Sequence, residues 1–165
     1  MTNVYLTYVT ELSKLNESYV TPAIMPNFKV FNALAWGLIE EYYEYFDSGT
    51  NVENRTKEAG DVLAYITLLL LTLNCVNDVA ELLDLVDQSA FNFEVCLLSY
   101  CSNLKRINRE GESFNWTVAL ALFDFVLADI KTYGVDFKTV AETNLDKLYD
   151  RYRRDVMFSG SGDSR

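Results

Sequence analysis

Histidine is absent from all 165 residues, and that gap removes several chemistries. Ser-His and Cys-His nucleophile activation, His-containing zinc sites and the Glu-x-x-His pairs of di-iron bundles all require an imidazole. Acid–base work therefore falls to carboxylates or to a metal-bound water. Cysteine is scarce: Cys75, Cys96 and Cys101 are an odd number, sit in apolar stretches and lack metal-ligand spacing, so reduced core residues are expected. Basic residues are outnumbered 14 to 24, leaving a net charge of −10. This argues against a nucleic-acid surface, whose affinity comes mainly from Lys and Arg neutralising phosphates. An anionic ligand is instead expected to need bridging cations. Long hydrophobic runs are missing too. The most apolar one, Val62 to Leu73, has twelve residues and starts beside Asp61, well short of the ~20 needed to cross a bilayer. The opening MTNVYLTYVTELSKLNE has neither a basic n-region nor a small-residue cleavage site. No membrane span and no secretory signal are expected, and a cytoplasmic location is the default.

What the chain does have is apolar residues at helical spacing, 50% hydrophobic overall, which is enough to bury one core without staples. No sustained period-two alternation with hairpin signals competes with it, so the expected fold is all-α. A first amphipathic helix carries Val4, Tyr8, Val9, Leu12 and Leu15, and gives way to SYVTPAIMP, which holds both prolines, Pro22 and Pro26. Residues 1–26 are thereby expected as an N-terminal arm. Helices from about Phe28 to Phe46 and from about Glu53 to Leu73 flank the turn residues Ser48-Gly49-Thr50-Asn51, making an αα-hairpin. After a short connecting helix in NDVAELLDLV, Phe93 to Arg109 and Phe114 to Tyr133 make a second hairpin around Glu110-Gly111-Glu112-Ser113. Gly134 reads as a C′ glycine and Asp136 as the N-cap of a last helix reaching about Arg154. Residues 155–165 form an irregular tail. The expectation is thus a single domain over 1–165: two αα-hairpins with one helix before and one after. The hairpins are compatible with a diverged internal repeat, since both place an aspartate ahead of a long apolar stretch. Convergent bundle patterning explains the same match.

The chemistry-bearing feature is Glu40-Glu41-x-x-Glu44 on the first helix of the first hairpin, answered by Glu58-x-x-Asp61 on the second. Residues three apart share a helix face. In an antiparallel hairpin, positions symmetric about the turn stand level, and both 41 with 61 and 44 with 58 are symmetric about position 51, inside the expected turn. The two levels are about 4.5 Å apart at 1.5 Å per residue, and helix axes roughly 8 to 10 Å apart let the carboxylate arms meet. Such charges repel by about 4 kcal/mol per close pair at an effective dielectric near 20, a cost that a bound divalent ion removes. All-oxygen ligation suits Mg²⁺ or Mn²⁺. A solvated acidic face is the plain alternative, but Asp61 directly precedes the apolar run and so belongs near the core. Gly60, unfavourable by about 1 kcal/mol against Ala inside a helix, fits either a close approach here or a neutral packing choice.

At these residues the chain resembles the MazG-like all-α nucleoside triphosphate pyrophosphohydrolases, the group that includes dimeric dUTPases and dCTP pyrophosphatases. The match lies in Gly37-Leu38-Ile39-Glu40-Glu41-Tyr42-Tyr43-Glu44 and Glu58-Ala59-Gly60-Asp61-Val62-Leu63-Ala64-Tyr65, thirteen residues apart. Asn144-Leu145-Asp146-Lys147-Leu148-Tyr149-Asp150-Arg151 is similar to the Asn-x-x-Lys-Leu-x-x-Arg helix of many members, and Gly160 to Arg165 to the tail of one subgroup. The resemblance covers roughly Phe31 to Tyr65 and Leu120 to Arg165.

That resemblance implies that Glu41, Glu44, Glu58 and Asp61 are the catalytic ligands of Mg²⁺. A nucleoside triphosphate would be hydrolysed to monophosphate and pyrophosphate, for nucleotide-pool control or house-cleaning, by a homodimer or homotetramer. Asn144, Lys147 and Arg151 form a stripe of about 60° on the last helix and are candidates for the phosphates, as is Arg165. Asn32 and Trp36, one to two turns before the acidic motif, and Tyr65, one turn beyond Asp61, are candidates for the base; aromatic residues at this spacing also serve as plain core. The second hairpin departs from the pattern. If Asp124 corresponds to Asp61, Ala121 replaces Glu58, and the facing helix offers Ser99, Ser102, Lys105, Arg106 and Arg109, so one metal site per chain is expected. The residues leave open a non-catalytic helical nucleotide-binding or protein-interaction module, and a base-selective dUTPase or dCTPase.

Overall fold

The computed structural model describes residues 2–17, 28–72 and 93–154. All its regular elements are α-helices: α1 (Thr2–Glu17), α2 (Phe28–Asp47), α3 (Val52–Thr72), α4 (Phe93–Glu110), α5 (Trp116–Thr132) and α6 (Phe137–Arg153). The expected all-α bundle is what forms, with element ends within a residue or two of those read from periodicity. Among the described residues no helix is long and apolar enough to cross a membrane. The helix expected in NDVAELLDLV, the connector with both prolines, Cys75 and the tail with Arg165 lie outside the described residues.

Local chemistry sets the turns. Gly49 takes a positive φ of 61° between α2 and α3, where a Cβ would be strained, and Asn51 Oδ1 accepts from the Asn54 amide to start α3. Gly134 turns at φ 79°, and Asp136 caps α6 by accepting from the Thr139 amide at 2.8 Å, both as the sequence predicts. The α4–α5 connection has a clamp that periodicity does not reveal. The buried Asn103 donates to the Ser113 carbonyl at 3.1 Å and accepts from the Asn115 amide at 2.8 Å.

α3 is the central element, packing against α2, α5 and α6. Its apolar run explains this: Ala59, Val62, Leu63, Ile66, Leu69 and Leu70 are essentially inaccessible, and full burial of a Leu or Ile side chain stabilises by roughly 1.5–3 kcal/mol. α4 packs on α5 as the second hairpin, and the two hairpins meet through rings. Phe93 stacks edge-on against Tyr42 and Phe46 and tilts against Phe125, while Phe114 meets Phe31 and Tyr100. A polar tie adds to this. Arg55, 6% exposed, pairs with Asp129 at 2.7 Å and lies over the Tyr45 and Tyr133 rings, while Tyr45 donates to the same carboxylate.

The N-terminal helix is more than the arm that the proline-containing connector suggests. α1 packs along α6, and Tyr5, Tyr8, Val9, Leu12 and Leu15 belong to the one core cluster. Cys96 is buried, Cys101 half-buried, and both are free thiols.

Candidate metal centre

The site is built on the facing helices of the first hairpin. Glu41 and Glu44, one turn apart on α2, meet Glu58 of α3, and one oxygen from each lies within 4.8 Å of the other two. All three are half-buried, whereas Glu40 points to solvent. The hairpin register therefore delivers three of the four expected carboxylates to one point. Asp61 stands beside them and is the charge that Glu41 feels most strongly, as their equal height implies.

Asp61 is held from the other side. Asn144 Nδ2 of α6 donates to Asp61 Oδ1 at 3.0 Å and Lys147 Nζ to Oδ2 at 2.6 Å. Both ends of this ion pair are largely shielded, at 19% exposure for the Lys147 side chain and 14% for Asp61, so water screens it less than a surface pair. Gly60 explains how α6 comes so near. A Cβ there would lie 2.7 Å from Asn144 Cβ, so the glycine permits a close approach and is not a neutral choice. Gly37 does the same one helix away, since a Cβ would run into the Tyr65 ring.

Crowding of acids in a half-dry setting has an electrostatic signature. Burial first, and then Asp61, Glu44 and Glu58, push the Glu41 carboxyl up to about 8, with Lys147 opposing them. Burial likewise raises the Tyr65 phenol, with Glu41, Asp61 and Glu40 adding and a hydrogen bond to Glu41 contributing. The arrangement is a cluster of hard oxygen donors that repel one another when charged.

The remaining expected residues divide. Lys147 joins the cluster. Asn144 does too, but buried and not at the bundle's edge: it is 1% exposed, accepts from the Tyr8 hydroxyl at 2.6 Å and donates to Asp61. The Asn144 end of the expected stripe turns inward against α3. Arg151 is half-buried further along α6. Tyr65 reaches Glu41, Trp36 is 49% exposed on α2, and Asn32 Oδ1 is buried without a hydrogen-bond partner. Sequence reasoning missed Tyr8, which periodicity presents as an ordinary core position of α1. On the second hairpin, Lys105 and Arg109 are exposed, Arg106 pairs with Glu112 at 3.4 Å, and Asp124 is buried with Oδ2 lacking a hydrogen-bond partner. Comparison with family models, curated proteins and solved structures returns no match.

Proposed function

We propose that the chain is a Mg²⁺-dependent nucleoside triphosphate pyrophosphohydrolase, cleaving between the α and β phosphates to give a nucleoside monophosphate and pyrophosphate. The observation that carries this reading is the meeting of the Glu41, Glu44 and Glu58 carboxylates within 4.8 Å, with Asp61 in their field. The donor set fits, because Mg²⁺ and Mn²⁺ take carboxylate oxygens. The three glutamate arms are flexible, so their oxygens could draw together onto one small ion.

Glu41, Glu44, Glu58 and Asp61 would hold the ion. When bound, it supplies positive charge to the triphosphate oxygens and raises the acidity of nearby water. A carboxylate of the cluster orients the attacking water and takes its proton. Water adds to the α phosphorus, the bond to the bridging oxygen breaks, and pyrophosphate leaves. Asn144 keeps Asp61 aimed at the cluster. Lys147, with Arg151 on the same stripe and Arg165, is assigned to the phosphates, and the exposed Trp36 ring with Asn32 and Tyr65 to the base. Assembly as a homodimer or homotetramer belongs to the same proposal.

The test is pyrophosphate release from a panel of ribo- and deoxynucleoside triphosphates with Mg²⁺. Release from at least one, stopped by a chelator, is the expected result, and the pattern reports base and sugar together. No release from any nucleotide would turn the reading to a non-catalytic helical module.

A further inference from the structure

We propose that Tyr8 is a positioning residue for the metal centre, acting through Asn144 on Asp61, so that the N-terminal helix helps to set the site's affinity; this rests on the magnesium reading above. Three helices form one line of hydrogen bonds. The Tyr8 hydroxyl of α1 meets Asn144 Oδ1 of α6 at 2.6 Å, and Asn144 Nδ2 meets Asp61 Oδ1 of α3 at 3.0 Å. Tyr8 and Asn144 are each 1% exposed, so water does not compete for the buried link between them.

The chemistry of an amide gives the line its direction. One end of Asn144 only donates and the other only accepts. With a hydroxyl proton directed at Oδ1, the NH₂ end must face Asp61. Turned round, the carbonyl oxygen would confront a carboxylate. Asp61, which only accepts, fixes which end of the amide faces it, and the Tyr8 hydroxyl supplies the matching donor at Oδ1 that holds Asn144 in that orientation.

Lys147 holds the other oxygen of Asp61, but it is a cation, and a divalent ion entering the cluster competes with it for the same negative charge. Asn144 is neutral and has no such conflict. The Tyr8–Asn144 line is thus the part of the support that persists when the ion arrives. Outer partners that orient a ligand commonly change metal affinity by about 10- to 100-fold when removed. Tyr8 stands one link farther out, which places its effect near the lower end.

The experiment measures Mn²⁺ binding to the full chain without nucleotide, by the electron paramagnetic resonance signal of free Mn²⁺. Tyr8→Phe, which keeps the ring and removes only the hydroxyl, should weaken binding by about tenfold. In an Asn144→Ala background the same change should do nothing further, because the link it acts through has gone. Leu12→Val, at another buried position of α1, should lower the melting temperature and leave Mn²⁺ affinity unchanged. Wild-type affinity in Tyr8→Phe, or equal weakening in Leu12→Val, overturns the positioning role while leaving the metal centre standing. Absence of saturable Mn²⁺ binding by the unaltered protein overturns the magnesium reading itself, and this proposal with it.

Discussion

Each hairpin carries an aspartate on an apolar second helix, and the two have opposite surroundings. Asp61 is 14% exposed, receives Asn144 and Lys147, and stands among three glutamates. Asp124 is 4% exposed with Oδ2 unpartnered, and burial alone raises its carboxyl from the usual range to about 6. The difference comes from what packs alongside. α6 closes on α3 at Gly60 and brings donors with it, whereas Asp124 is buried on α5 with no donor at Oδ2. An aspartate inside an apolar run is thus no sign of a site by itself; the donors delivered by a third helix make the distinction.

The largest expected effect sharpens that contrast in activity. If the proposed function holds, Glu44→Gln or Asp61→Asn should lower pyrophosphate release by about 10³-fold, equivalent to about 4 kcal/mol of barrier, with helicity unchanged. Asp124→Asn should leave the rate within about twofold, since among the described residues no hydrogen bond or ion pair ties it to the cluster. Full activity in both first-hairpin variants would end the site assignment, and a comparable loss in Asp124→Asn would end the contrast.

The next effect reads the contrast in stability. A carboxyl at about 6 when folded and near 3.9 when unfolded binds its proton more tightly in the native state. Its contribution is therefore fully present below pH 4 and is lost as pH rises to about 6. Two units correspond to about 3 kcal/mol, an upper bound if the carboxyl draws in water when charged. Asp124→Asn, which imitates the protonated form, should raise the stability of the protein at pH 7 by about 1–3 kcal/mol and flatten the loss between pH 4 and 6. Denaturant titrations at pH 4.5 and 7 measure both, and an unchanged pH slope in the variant would show that Asp124 is not the titrating group.

Much of this was legible in the residues, and the part that was not has a common cause. The spacing of apolar positions yields α2 through α6 almost to the residue, Gly134 and Asp136 mark the last turn, and the turn near position 51 puts Glu41, Glu44 and Glu58 together. Each of these is local, or follows from one hairpin. The Arg55–Asp129–Tyr45 tie and Tyr8 depend on which helix faces meet across long separations, which a helical wheel does not specify. Asn144 shows the boundary best. Its stripe is readable, but whether that stripe faces solvent or α3 depends on the approach of two helices more than eighty positions apart.

Gly60 controls that approach, and the smallest of the effects tests it. In an open helix Gly→Ala stabilises by about 1 kcal/mol through backbone entropy. Here the new methyl would stand 2.7 Å from Asn144 Cβ, an atom fixed to its backbone, so α6 itself must shift; overpacking of this kind costs about 1–3 kcal/mol. The second effect is the larger, and Gly60→Ala should destabilise by about 1 kcal/mol net. A shift of α6 also draws Asn144 and Lys147 away from Asp61, so Mn²⁺ binding should weaken together with stability. A variant more stable than the parent would mean that helix propensity wins and that α6 does not need the glycine to reach Asp61.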